Sequence, residues 1–185
     1  MYNKSMIRLV SWNYTKKDLE DLYAHTDQSH CLVALPIPLP EQKTEQYMQA
    51  LQAGTVNGKT FLCFGILSDD TLIGKIDLFR SDDMSAELDI VIRREYTGQG
   101  NGTEALRQLL YRLNVTGWCF SIHAYTDSEN IPAGKAFRKA GFHPSRRFKA
   151  DVVTEHEGIY KMKNVLGIEY SYILENLPQE YRHSA

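Results

Sequence analysis

The chain is short of cysteine, of uninterrupted apolar sequence and of charge of one sign, and each shortage excludes a class of protein. Cys31, Cys63 and Cys119 are the three thiols in 185 residues. Being few, odd in number and far apart, they form neither a disulfide framework nor a metal-ligand set, and a reducing compartment, the cytoplasm, is the expected location. His30, His143 and His156 also lack ligand spacing, so no metal is expected. The most apolar run, 31–39, is too short to cross a bilayer and is broken by Pro36 and Pro38. Near the amino-terminus Asn13, Lys16, Lys17 and Asp18 interrupt any apolar stretch of signal length. Neither a membrane partner nor an export signal is expected. With 21 Lys and Arg against 23 Asp and Glu, the net charge of −2 gives no general attraction to nucleic acid. What is present is ordinary for a globular chain: 43% apolar and 24% charged residues, with no repeat or low-complexity linker. The length suits one domain with a sizeable core, spanning 1–185 with its core over about 6–174 and a short tail at 175–185.

Periodicity places the elements. Ile7, Leu9 and Ser11 open a strand, and Thr15 with Asp18 three residues later resembles a helix start before Leu19, Leu22 and Tyr23. A proline-rich connector leads to a second short helix over 44–51. The runs 61–67 and 71–79 are β-rich and flank Ser68-Asp69-Asp70, a hairpin turn. In 86–92, Leu88, Ile90 and Ile92 alternate with Glu87 and Asp89, the period-two pattern of a half-buried strand. Ala105, Leu106, Leu109, Leu110 and Leu113 form a helical stripe, read as core. A strand over 118–125 precedes a helix over 132–140, with Pro132 in its first turn and Gly141 at its end. The stretches 145–153 and 160–174 are strand-like around a turn at 155–158. The whole is a mixed α/β (α+β) order: strand, two helices, three strands, helix, strand, helix, two strands.

Between the strand at 86–92 and the helical stripe lies Tyr96-Thr97-Gly98-Gln99-Gly100-Asn101-Gly102-Thr103. Three glycines let the backbone N–H groups turn toward one point, and the following helix adds its own unpaired N–H groups and positive dipole end. Such a junction suits a pyrophosphate; the alternative is plain punctuation between a strand and a helix. Its Gly-x-Gly-x-Gly spacing is not the Gly-x-Gly-x-x-Gly of dinucleotide sites. Asn57-Gly58-Lys59-Thr60 ends like a nucleoside-triphosphate loop, but Ala53 stands where that loop requires glycine, and the segment reads as a connector turn.

The span from Ala86 to Leu113 resembles the acetyl-CoA-binding motif of the GNAT family of N-acetyltransferases: a strand, then Gln/Arg-x-x-Gly-x-Gly/Ala, then a helix. Gly100-Asn101-Gly102 supplies the last three loop positions. Downstream, the segment from Asn130 through Ile131 and Pro132 to Gly141-Phe142 resembles the family's Asn-led helix ending in Gly-Phe. The resemblance covers about 6–174 and is nearest to the branch of ribosomal-protein N-terminal (alanine/serine) acetyltransferases. It implies a single twisted mixed sheet, mostly antiparallel, of about seven strands with about four helices on both faces. Three positions depart from the pattern. Thr97 stands where the family has Gln or Arg, Asp89 where this branch commonly has Gly, and Phe137 where many members carry a Tyr proposed to protonate the departing thiolate.

The resemblance implies acetyl transfer from acetyl-CoA to an amine acceptor, a protein N-terminus or a small molecule, in a monomer or homodimer. A non-catalytic acyl-CoA-binding module is the alternative. Implied cofactor contacts are the backbone of Val91 and Ile92 along the pantetheine arm, the loop Thr97, Gly98, Gln99, Gly100, Asn101, Gly102 and Thr103 around the pyrophosphate, and Asn130, Lys135 and Phe137 from the downstream helix. A lysine-like amine has a pKa near 10.4, so a base helps it attack. Glu87 is the first candidate and Asp89, on the same strand face, the second; the plain alternative is a solvated strand face. For the acid, Tyr125, Tyr96 and Ser128 are candidates in place of Phe137. His123 shares a face with Ser121 and Tyr125 and is read as a relay or as a structural histidine. The acceptor entrance is expected between the first two helices and the connector 32–40.

Overall fold

The computed structural model describes residues 6–30, 32, 39–156 and 159–175, with the side chains of 153–156 and 159–161 outside the description. In chain order the elements are β1 (Ile7–Ser11), α1 (Lys16–Ala24), α2 (Glu41–Ala53), β2 (Thr55–Val56), β3 (Lys59–Ser68), β4 (Thr71–Arg80), β5 (Ser85–Ile92), α3 (Asn101–Thr116), β6 (Ser121–Asp127), α4 (Ile131–Ala140), β7 (His143–His156) and β8 (Ile159–Ile173). A single 3-10 turn, Arg94–Tyr96, follows β5.

Local sequence explains most boundaries. Thr15 and Asp18 close a reciprocal capping box on α1, satisfying two amides that the helix cannot pair itself. Asn130 caps α4 through its side chain, which accepts from the Ala133 amide at 3.2 Å. The second helix begins earlier than its periodicity suggests, directly after Pro40, and ends at Gly54 in left-handed conformation. The connector turn at Asn57-Gly58 joins β2 to β3, with both residues at positive φ. The sheet therefore has eight strands, one more than the sequence pattern suggests, because this two-residue strand is too short to leave a period. The expected strand at 118–125 starts later, at Ser121, since α3 runs to Thr116 and Trp118 to Phe120 are spent leaving it. Of the expected turn at 155–158, residues 157 and 158 lie outside the described residues.

The strands lie in the order β1-β3-β4-β5-β6-β8-β7, with β2 against β3. Every neighbouring pair is antiparallel except β5 and β6, which are parallel because α3 carries the chain back across the sheet between them. On one face α3 and α4 bury Leu106, Leu109, Leu110, Leu113 and Phe137 against Ile76, Leu78, Leu88 and Ile122. On the other, Leu19, Leu22 and Tyr23 of α1 pack with Leu39 and Val91. Each such buried leucine contributes about 2 kcal/mol from removed apolar surface. Among the described residues no helix is long and apolar enough to cross a membrane.

The parallel pairing is short. It joins Ser85–Leu88 to Ser121–Ala124 and stops. Beyond it, Asp89 to Ile92 remain paired to β4, and Tyr125 to Asp127 remain paired to β8. The two central strands thus part in the middle of the sheet, which leaves backbone N–H and C=O groups on their facing edges free for another extended chain.

Candidate active site

The loop after β5 is built from its own backbone. Gly98 and Gly100 have φ of 74° and 87°, a region that strains any side chain. A Cβ at either position would meet no described atom within 4 Å, so conformation requires these glycines and the space above them is open. The loop's polar side chains turn back on the loop itself. Thr97 Oγ1 donates to the Arg94 carbonyl at 2.8 Å, Gln99 Nε2 to the Glu95 carbonyl at 2.7 Å, and Asn101 Nδ2 to the Tyr96 carbonyl at 3.0 Å. What the loop presents outward is main-chain N–H at the start of a 16-residue helix.

A cavity of about 790 Å³ runs from this loop into the split between β5 and β6. The expected donor-site residues line it: Val91 and Ile92, Thr97 and Gly98, Gly100 through Thr103, then Asn130, Lys135 and Phe137. Gln99 does not line it. Leu106, read as core, is buried and reaches the cavity as well. Phe137 is 3% exposed, its ring 5.3 Å from Tyr170 and 5.5 Å from Phe142. It shapes the wall and has no proton to give.

Residues 26–30, which the sequence pattern did not single out, cross the mouth of the split. Thr26 bridges to Arg93 at the end of β5, and the Arg94 amide donates to the His25 carbonyl at 2.8 Å. Four residues on, His30 Nδ1 lies 3.5 Å from Oδ2 of buried Asp127 at the end of β6. His30, Asp127 and Glu129 each place one donor atom within 4.8 Å of the others. The segment therefore runs from its bridge beside β5 to within 3.5 Å of the end of β6. Most of the connector expected at the acceptor entrance, 33–38, lies outside the described residues.

The face under α1 and α2 carries the titratable groups. Alternate residues of β5 and β6 point there, so Glu87, Asp89, Ser121, His123 and Tyr125 share it. Glu87 lies in the segment where β5 and β6 are still paired, opposite His123. Its side chain is half exposed and ion-paired with Lys59 Nζ at 2.8 Å. Asp89 and Tyr125 are the first residues past the point of separation. Asp89 keeps contact with solvent on one side, but protein packed around it strips its hydration and pushes its carboxyl up; nearby Lys75 opposes this and Asp77 adds to it. No described side chain forms a hydrogen bond or ion pair with Asp89, whose hydrogen-bond donor is the Ile90 amide. The Tyr125 phenol is also pushed up, first by burial and then by the carboxylates of Glu169 and Glu87.

Beneath Asp89 lies a buried cluster with no counterpart in the sequence reading. Lys75, 1% exposed, is ion-paired with Asp77. The Tyr47 hydroxyl donates to Asp77 Oδ1 at 2.7 Å and lies 3.1 Å from Cys63 Sγ. The Lys75 ammonium sits 4.8 Å from the Tyr47 ring centroid and 5.5 Å from that of Tyr23. Burial alone would lower the Lys75 pKa; Asp77 and the other acidic groups outweigh it and carry the net shift upward. Burial raises the Tyr23 phenol to about 12.

The model of the acetyltransferase (GNAT) domain matches residues 8–143. The chain belongs to the GNAT family. It is an acetyl-CoA-dependent N-acetyltransferase. No curated protein sequence matches it. Among solved structures, RimL, a ribosomal L7/L12 alpha-N-protein acetyltransferase in complex with coenzyme A, is 15% identical with a TM-score of 0.72, over 92% of this chain and 95% of that one. The spermidine N-acetyltransferase of Vibrio cholerae, in complex with CoA and spermine, is 16% identical with a TM-score of 0.68, over 92% and 96%. A GNAT-family acetyltransferase from Bacillus anthracis is 18% identical with a TM-score of 0.66, over 95% and 99%. At these identities the likeness is one of fold, and it confirms the expected architecture.

Proposed function

We propose that this GNAT chain transfers the acetyl group to a primary amine, of a protein N-terminus or a small molecule, by direct attack at the point where β5 and β6 separate. The observation that carries this reading is the cavity that runs from the glycine loop along β5 as far as Ile90, next to Asp89, where the pairing of β5 with β6 has just ended. Acetyl-CoA supplies an activated thioester when bound. The free edges of Val91 and Ile92 hold an extended arm as an added strand would, and the amides at the start of α3 hold an anion. Fixing amine and acyl group together removes much of the entropic barrier.

Asp89 is better placed than Glu87 to take the amine's proton. Glu87 is engaged with Lys59 and lies in the paired part of the strands, whereas Asp89 lies at the fork with no described side-chain partner. Its raised pKa also narrows the gap to the ammonium it must deprotonate. Tyr125, whose raised pKa keeps the phenol protonated at neutral pH, faces the same fork and gives its proton to the departing sulfur. The relatives named above act on a ribosomal-protein N-terminus and on spermidine, which supports an amine acceptor of either size. Acetyl-CoA-dependent release of free thiol, measured across a panel of N-terminal peptides, polyamines and amino sugars, tests the proposal. Amine-dependent release with one acceptor class is expected; acetyl-CoA binding with no thiol release on any amine would refute it.

A further inference from the structure

On the same sheet face three side chains form a hydrogen-bonded chain that runs from beside the fork, where Glu169 pairs with Tyr125, to Ser121, whose hydroxyl the acetyl-transfer reading does not use. Ser121 Oγ lies 3.1 Å from His123 Nε2, and His123 Nδ1 lies 2.8 Å from Glu169 Oε1. Arg146 Nε donates to the other carboxylate oxygen of Glu169 at 3.0 Å. Strand geometry produces the alignment. Ser121 and His123 are two residues apart on β6 and so share a face, and Glu169 on β8 is cross-strand partner to both Tyr125 and Arg146, one diagonal step from His123.

We propose that Ser121, His123 and Glu169 are a second acyl-transfer site, with Ser121 as a nucleophile toward small activated carboxylic esters. Glu169 accepts the Nδ1 proton and thereby fixes the tautomer, leaving the Nε2 lone pair aimed at the Ser121 hydroxyl. A nucleophile bonded to a base that a third group orients is the arrangement that activates serine in hydrolases. The side chain of His123 is 28% exposed and that of Glu169 12% exposed, so the imidazole is reachable while its carboxylate partner is sheltered. Arg146 keeps Glu169 in its acceptor role. In the reaction Ser121 Oγ attacks the ester carbonyl while Nε2 takes the hydroxyl proton. The bond to the leaving oxygen breaks, Nε2 returns the proton to that oxygen, and an acyl-serine remains. Water, deprotonated by Nε2, then attacks the acyl carbon; the bond from that carbon to Ser121 Oγ breaks, Nε2 returns the proton to Oγ, and the carboxylic acid leaves.

The same strand geometry limits the site. Ser121 is flanked by β5 and β8, which take up the amides around it, so no pair of free backbone donors faces the developing oxyanion. Loss of even one such donor costs hydrolases about 10²–10³ in rate, which confines this site to esters with good leaving groups. Ser121 is also four residues, about 13 Å at strand spacing, from Tyr125, so its hydroxyl lies outside the fork.

Incubation of the full chain with p-nitrophenyl acetate, without CoA, tests this. The expected result is a burst of about one equivalent of nitrophenolate, with the mass of an acetyl group on the peptide containing Ser121. S121A and H123Q should abolish that acetylation, and E169Q should slow it roughly 100-fold or more. All three should retain the thermal stabilisation given by acetyl-CoA. A fluorophosphonate probe should label Ser121 in the unsubstituted chain, which keeps the test decisive even if a variant fails to fold. Acetylation confined to lysines, a burst unchanged in S121A, or absence of probe on Ser121 would overturn the proposal.

Discussion

The two sides of the fork are made of different material. Toward α3 the wall is main chain: glycines at positive φ, helix amides and the free edge of β5, with Thr97, Gln99 and Asn101 spending their polar atoms on the loop's own carbonyls. Toward α1 and α2 it is side chain, with Asp89 and Tyr125 above a buried Lys75–Asp77–Tyr47–Cys63 cluster. Backbone recognition suits a ligand part that never varies, such as a pyrophosphate and its arm. Side chains can be exchanged without refolding the loop, which suits the variable partner and the proton chemistry.

That contrast can be broken at several points. The largest expected effect is on the acceptor side. K75A would leave Asp77 buried without its cation, and loss of about 3–5 kcal/mol of stability is expected in denaturant titrations, as for other buried pairs broken from one side. A smaller loss would mean that water reaches the cluster. On the donor side, G100V forces a β-branched residue to a φ of 87°. Calorimetry should find acetyl-CoA affinity reduced about 10- to 100-fold, from strain of 1–3 kcal/mol and displaced amides. T97A should move affinity only two- to threefold, the ~0.5 kcal/mol of one exposed hydrogen bond. A large effect of T97A with a small one of G100V would reverse the assignment of this wall to backbone.

A pH effect sharpens the other side. Because the folded-state pKa of Asp89 is raised, its protonated form is the one the fold favours. Its contribution to stability is full below the ordinary carboxylate pKa and is lost as pH rises from there through the raised folded value. At neutral pH, D89N should therefore melt at a higher temperature than the unsubstituted chain. A lower melting temperature would show that Lys75 dominates over burial at this site.

The glycine loop and α4 were legible in the sequence because they depend on local requirements. A residue at positive φ calls for glycine, an N-cap calls for Asn130, and α4 calls for Pro132 and Gly141 at its ends; each is read from neighbours in the chain. Alternation in β5 likewise put Glu87 and Asp89 on one face. It could not separate them, because what distinguishes them is where the parallel pairing with β6 stops, and that depends on strands more than 30 residues apart in sequence. Lys75 and Asp77 stand two residues apart on β4, and nothing in the neighbouring sequence marks them as buried; the aromatic rings of Tyr23 from α1 and Tyr47 from α2 cover them. The Ser121–His123–Glu169 chain needed the β6–β8 register, and the crossing at 26–30 needed a single bridge to Arg93.

The division between a backbone wall that binds the donor and a side chain that takes the proton is tested most directly by D89N, with acetyl-CoA affinity from calorimetry and turnover from thiol release measured on the same preparation. Affinity within about twofold of the unsubstituted chain, with turnover lowered by the 10²-fold or more of a lost general base, is the expected result. Unchanged turnover, or an affinity that falls together with it, would contradict the account.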